Sequence, residues 1–185
     1  EELNKNGVKI YKNTKVIGFE ASKDGKVQRV VVEGGNEDFD VDMALVSVGV
    51  RPNTDIAAKA GIQTGLKGGI VVDQYMRTSA PNIWACGDCV ATYNRITKEP
   101  AYIPLGTTAN KQGKITGENV LGGHTTFPGV LGTQVTKIFD LFVASTGLTQ
   151  EQATALGLEP IQVTIKHGDR ADYYPGNRPI SINII

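Results

Sequence analysis

Residues 41–50 narrow the fold most. The run Val-Asp-Met-Ala-Leu-Val-Ser-Val-Gly-Val is almost unbroken apolar and rich in valine, the pattern of a strand covered on both faces, as in a parallel sheet. It ends at Gly49-Val50-Arg51-Pro52-Asn53, a turn, after which Asn53 or Thr54 can cap a short helix running through Lys59. Gly61 then stands where a left-handed C-cap residue is wanted. Gly68-Gly69 opens a second strand over residues 70–73, and Asn82-Ile83-Trp84-Ala85-Cys86 reads as a third that delivers the chain to Gly87-Asp88.

The flanks have a different texture. Residues 8–20 and 26–33 alternate apolar and polar, and Ser22-Lys23-Asp24-Gly25 between them carries the Asp-Gly hairpin signal, so an antiparallel hairpin or meander is expected. A helix is expected from about Gly106 to Leu121, starting at Thr107 or Thr108 and stopped by Gly122-Gly123. Ala109, Gly113 and Gly117 fall four apart on one face of it, which would let another backbone approach closely. Lys111, Gln112, Lys114 and Glu118 in the same turns exclude a membrane dimer motif. After Phe127-Pro128-Gly129, residues 133–145 read as strand, and Thr149-Gln150-Glu151-Gln152 is a capping box for a helix ending at Gly157. Residues 161–166 and 180–184 alternate as further strands, giving a separate α+β unit from about residue 127.

Composition removes several function classes. Lys+Arg and Asp+Glu number 19 each, a formal net charge of zero, so the basic footprint of a nucleic-acid or anionic-membrane binder is missing. The longest apolar runs fall far short of the roughly 20 residues needed to span a bilayer. Two Cys, two His and no basic-then-apolar leader argue against a secreted disulfide framework and make a reducing cytoplasm the default. The 22 glycines in 185 residues are about 12%, against an average near 7%, so backbone is expected to come close to something. A first residue of Glu1 and a last stretch that stops within an alternating run suggest a fragment cut at both ends.

Several motifs in order carry a resemblance. Val48-Gly49-Val50-Arg51-Pro52-Asn53, Gly69-Ile70-Val71-Val72-Asp73, Arg77-Thr78-Ser79 and Ala85-Cys86-Gly87-Asp88 resemble the second half of the FAD-dependent pyridine nucleotide-disulfide oxidoreductases. Gly132-Thr133, Gly147-Leu148-Thr149 and Tyr173-Tyr174-Pro175-Gly176 look most like the coenzyme A-disulfide reductase, NADH oxidase and NADH peroxidase branch. The resemblance implies an α/β chain of partial FAD/NAD(P)-binding Rossmann-like domains followed by an incomplete α+β dimerisation domain. Residues 1–50 would be the tail of the NAD(P)-binding domain, 51–126 the C-terminal part of the FAD-binding domain, and 127–185 the start of a dimerisation domain that pairs two copies. FAD and NAD(P)H are the cofactors so implied, with a disulfide, oxygen or peroxide as acceptor.

Physical chemistry gives the motif residues their tasks. Gly87 would allow close backbone approach to a ligand and Asp88 would offer a charged acceptor for vicinal hydroxyls, which the resemblance identifies as the ribityl hydroxyls of FAD. Without that context a Gly-Asp pair is more often a plain turn. Pro104-Leu105-Gly106-Thr107 leads into the Gly-faced helix, whose unpaired amides and positive dipole end would face the N1/O2 edge of the flavin, where reduction places negative charge. An ordinary capped helix is the alternative.

Cys86-Gly87-Asp88-Cys89 has thioredoxin-like spacing, but the carboxylate between the sulfurs should raise thiol pKa values rather than lower them, so packing is the expected role. His124 and His167 stand 43 positions apart, unlike a zinc pair, and no metal is expected. His167 reads as a surface residue. Relatives with the Tyr-Tyr-Pro-Gly motif place a Tyr near the partner subunit's active site, so Tyr173 or Tyr174 could protonate a leaving thiolate across a dimer interface, or pack there without proton transfer. No G-x-G-x-x-G occurs, so the chain should complete neither dinucleotide site and should be inert alone. A noncatalytic module that keeps the fold without the cofactor, and a ferredoxin or rubredoxin reductase relative, are the alternatives.

Overall fold

The computed structural model describes residues 1–34 and 38–185. The chain divides into two compact units, Glu1–Arg51 with Thr136–Val143, and Pro52–Val135 with Ala144–Ile185.

The first unit opens with the short helix α1 (Glu2–Lys5) and an antiparallel sheet of β1 (Val16–Ala21), β2 (Val27–Val32) and β3 (Phe39–Asp40). The Asp24-Gly25 signal makes the expected turn: Gly25 takes φ +78°, its N–H donates to the Ser22 carbonyl at 3.0 Å, and Ser22 N–H donates to Lys26 at 2.8 Å. The register sets Arg29 opposite both Glu20 and Asp40, with ion pairs of 3.4 and 3.1 Å. Solvent screens exposed pairs of this kind, so they specify register more than they stabilise.

The run over residues 41–50 is not a strand. Val41 N–H donates to the Gln28 carbonyl of β2 at 2.9 Å, but among the described residues the run beyond it joins no strand ladder, and Leu45 and Val48 are 90% and 91% exposed. A parallel strand exists only where a neighbour supplies its ladder and helices cover its faces, and the first unit offers neither to this run.

In the second unit, Thr54 precedes α2 (Asp55–Lys59), but its hydroxyl donates to the Gly68 carbonyl at 2.7 Å instead of capping the helix. Gly61 closes α2 at φ +75°, with Ile62 N–H donating to Ala57 and Gly61 N–H to Ala58, the crossed pair of bonds typical of a glycine stop. A short 3₁₀ turn (Leu66–Gly68) leads into β4 (Ile70–Val71), which pairs in parallel with β5 (Val90–Tyr93), while β5 pairs antiparallel with β6 (Pro100–Ala101). The expected strand over residues 82–86 does not form. Asn82 turns the chain at φ +59°, and what forms is an isolated antiparallel bridge of Trp84 with Arg77, flanked by bonds from Thr78 N–H to the Ile83 carbonyl at 3.0 Å and from Ala85 N–H to the Met76 carbonyl at 3.1 Å.

The core of this unit gathers Met76, Val90, Ala101, Phe127 and Val130, with Trp84, Cys89 and Ile115 packed against it. Met76 is fully buried, and burying such a side chain contributes roughly 1.5–3 kcal/mol. Helix α3 (Gly106–Val120) ends at Gly122, φ +92°, with Gly123 N–H on the Glu118 carbonyl. The expected close approach along its small-residue face is met only at Ala109, whose methyl would stand 3.8 Å from a Cβ at Gly87; nothing among the described residues lies within 4 Å of a Cβ at Gly113 or Gly117.

Residues 133–145, expected as one strand, fold back as β7 (Gln134–Ile138) and β8 (Leu141–Ser145), because Phe139 at φ +52° reverses the chain. Helix α4 (Gln150–Ala155) has the full capping box: Thr149 Oγ1 accepts from Gln152 N–H and Gln152 Oε1 accepts from Thr149 N–H. Strands β9 (Val163–Gly168) and β10 (Pro179–Ile184) pair antiparallel across six residues. Among the described residues no helix is long and apolar enough to cross a membrane.

Candidate functional site

Gly87 and Asp88 lie in a turn that leads into β5, not at the end of a strand. Val90 N–H donates to the Gly87 carbonyl at 3.1 Å, and Gly87 takes φ +89°, a left-handed conformation open to glycine and strained for other residues. The other side of Gly87 is tied outside the turn, since its N–H donates to Oε1 of Gln112 on α3 at 2.8 Å. A Cβ at Gly87 would stand 3.8 Å from the Ala109 methyl. The turn therefore rests on the second turn of α3.

Asp88 is exposed and its carboxylate has no hydrogen-bond partner among the described residues. Its charge still reaches two neighbours. Burial pushes the Tyr102 phenol above its ordinary value, and Asp88 adds to the rise. Burial also pushes the Cys89 thiol up, with Cys86 and Asp88 in support. Cys89 Sγ donates to the Cys86 carbonyl at 3.4 Å, and both cysteines are free. A thiol held neutral is a poor nucleophile, so this C-x-x-C lacks the electrostatics of a dithiol redox centre.

From β6 the chain passes through Tyr102, Ile103 and Pro104 to Leu105, the N-cap of α3, whose extended backbone (φ −136°, ψ 132°) supplies no side-chain cap. The first bond of full α-helical span is Ala109 N–H to Leu105 C=O at 2.9 Å. The amides of Gly106, Thr107 and Thr108 precede it, no acidic residue sits in the first turn, and Gly106 and Thr107 are exposed. A 15-residue helix with an uncapped start presents N–H donors and a positive dipole end to any anionic or electron-rich ligand edge. Gly87, Asp88, Gly106 and Thr107 thus offer a ligand backbone without a side chain in the way, a carboxylate unpartnered among the described residues, and helix-start amides without a side-chain cap.

Tyr173 and Tyr174 sit in the loop between β9 and β10, 82% and 56% exposed, with ring centroids 4.9 Å apart and no hydroxyl partner among the described residues. His167 is exposed, its Nδ1 3.2 Å from the Gly168 carbonyl. A cavity of about 290 Å³ lies beside Asp73, Arg77, Asn82 and Trp84. Its one carboxylate is committed: Asp73 accepts from the backbone N–H groups of Tyr75 and Arg77 and from Arg77 Nε, all within 3.0 Å. Burial pulls the Asp73 carboxyl upward, but those bonds outweigh it and hold it below the usual carboxylate range.

Gln112 is the residue missing from the sequence-based set. It is 1% exposed, and the signal for it was a polar side chain three residues after Ala109, on the helix face expected to be covered.

Residues 1–113 match the family model described as pyridine nucleotide-disulphide oxidoreductase. The chain is 37% identical over 155 residues to the CoA-dependent NAD(P)H sulfur oxidoreductase of Pyrococcus furiosus, covering 84% of this chain and 35% of that relative. It is 41% identical over 186 residues to an NADH oxidase of Methanocaldococcus jannaschii, covering 99% of this chain and 40% of the relative. The structure of a NAD-dependent persulfide reductase from A. fulgidus superposes with a TM-score of 0.91 at 40% identity, covering 98% of this chain and 33% of that one. The chain therefore spans between a third and two-fifths of the length of these relatives.

Proposed function

This chain belongs to the pyridine nucleotide-disulphide oxidoreductase family, and from that premise we propose that it is a segment of a flavoenzyme passing reducing equivalents from NAD(P)H through FAD to a disulfide, oxygen or peroxide acceptor. The observation that carries the reading is the Gly87-Asp88 turn tied by Gln112 to α3, a helix whose start has no side-chain cap, with the Asp88 carboxylate unpartnered among the described residues. Bound FAD supplies hydride acceptance and electron release; this chain's residues bind and orient it. Asp88 accepts hydrogen bonds from ribityl hydroxyls, Gly87 lets the backbone come close, and the amides of Gly106 and Thr107 favour the reduced, more negative isoalloxazine edge.

Among acceptors, coenzyme A disulfide and related sulfur compounds fit the CoA-dependent name of the Pyrococcus relative, and oxygen fits that of the Methanocaldococcus relative. Residues 127–185 are proposed to begin a homodimer surface on which Tyr173 or Tyr174 donates a proton to a leaving thiolate of the partner copy. The parent enzyme is placed in the reducing cytoplasm, where Cys86 and Cys89 stay thiols.

Asp88→Ala in the full-length parent tests the reading. Loss of a charge-assisted hydrogen bond of about 1.5–3 kcal/mol should weaken FAD binding roughly 10- to 150-fold, read by equilibrium titration of flavin fluorescence. Unchanged affinity would reject a flavin role for this turn and favour a noncatalytic module.

A further inference from the structure

We propose that Gln112 is a positioning residue that fixes the Gly87-Asp88 turn against α3, so that Asp88 and the amide-rich start of the helix address the same flavin. The inference rests on the reading of the turn as a FAD contact and adds to it the residue that sets the geometry.

Three observations support this. Gln112 is 1% exposed in a helix whose residues are otherwise mostly exposed, and a buried amide is costly unless it is hydrogen-bonded. Its partner is the Gly87 N–H, at 2.8 Å. The turn cannot hold itself on that side: its own bond, Val90 N–H to Gly87 C=O, spends the Gly87 carbonyl and leaves the Gly87 N–H to bind outward. Asp88 does not tie the turn either, because its carboxylate bonds to nothing among the described residues. Labour is therefore divided. Gln112 anchors the backbone, and the neighbouring carboxylate is left whole for a ligand.

Gln112 also stands six residues after Gly106, on the same rigid helix whose first amides face the proposed flavin edge. One helix then sets both contacts, and their separation is fixed by α-helical geometry rather than by a loop. Removing the acceptor frees the turn to move relative to the helix start without altering any group that touches flavin.

The test is a double-mutant cycle on FAD affinity in the full-length parent. Gln112→Met and the shorter Gln112→Asn both withdraw the acceptor and should weaken FAD binding about tenfold, the effect of one buried hydrogen bond. Gln112→Glu keeps an acceptor oxygen in either protonation state and should stay within about threefold of wild type. In an Asp88→Ala background, Gln112→Met should cost little more, since a residue acting through Asp88 has nothing left to position. Full affinity in Gln112→Met, or losses that multiply with Asp88→Ala, would overturn the proposal while leaving FAD binding by the turn intact. Failure of both acceptor-less variants to fold would overturn it too, by making Gln112 a stability residue. Should Asp88→Ala itself bind FAD normally, the underlying reading falls instead.

Discussion

Asn119 offers the most quantitative check on how α3 is held at its far end. Its amide nitrogen donates to the Tyr75 carbonyl at 3.0 Å and the Thr125 carbonyl at 2.8 Å, and its oxygen accepts from Thr125 N–H at 2.9 Å. It is buried, so Asn119→Ala strands the Thr125 N–H and two carbonyls. Three net hydrogen bonds at about 1 kcal/mol each give about 3 kcal/mol, and replacing Asn by Ala in a helix returns about 0.6 kcal/mol. The expected loss is about 2 kcal/mol, which at a urea slope of about 2 kcal/mol/M moves the midpoint down by about 1 M. Trp84, the single tryptophan, packs against the Met76 cluster of the same unit and reports its unfolding by fluorescence. Asn110→Ala, an exposed asparagine on the same helix, is the control and should gain a few tenths. Equal midpoints for the two variants would refute the assignment of tertiary bonds to Asn119.

Two further outcomes follow from groups elsewhere in the second unit. The folded Asp73 carboxyl titrates below its unfolded value, so its contribution is complete above the ordinary carboxylate range and is lost as pH falls through the lowered folded value; the stability gap between wild type and Asp73→Asn should close on acidification, and a gap that widens in acid would contradict this. Gly69→Ala places a Cβ 2.8 Å from the Ala91 nitrogen in the β4–β5 pair and should cost about 1–3 kcal/mol by overpacking, whereas Gly113→Ala, with open space around it, should gain up to about 1 kcal/mol; urea midpoints that move alike for both would refute the contact at Gly69.

What could be read from the residues was what neighbours in sequence decide. The Asp24-Gly25 turn, the glycine stops at Gly61 and Gly122 and the Thr149–Gln152 capping box each depend on groups within about five residues, and each forms as its chemistry dictates. Residues 41–50, 82–86 and 133–145 misled because apolar content reports that a segment can be covered, not what covers it. Asn82 and Phe139 adopt positive φ, a conformation that asparagine tolerates and phenylalanine does not advertise. At the candidate site, the Gly87-Asp88 pair and the helix start were legible as motifs. Gln112 was not, because its bond to Gly87 spans 25 positions and no local pattern encodes a partner that far away.

The uncovered run over residues 41–50 has a practical consequence. Exposed, valine-rich backbone that joins no strand ladder beyond Val41 is the kind of template on which foreign strands nucleate. Clumping of concentrated samples would therefore start at this ribbon rather than at the β1–β2 ladder, where Arg29, Glu20 and Asp40 act as charged gatekeepers.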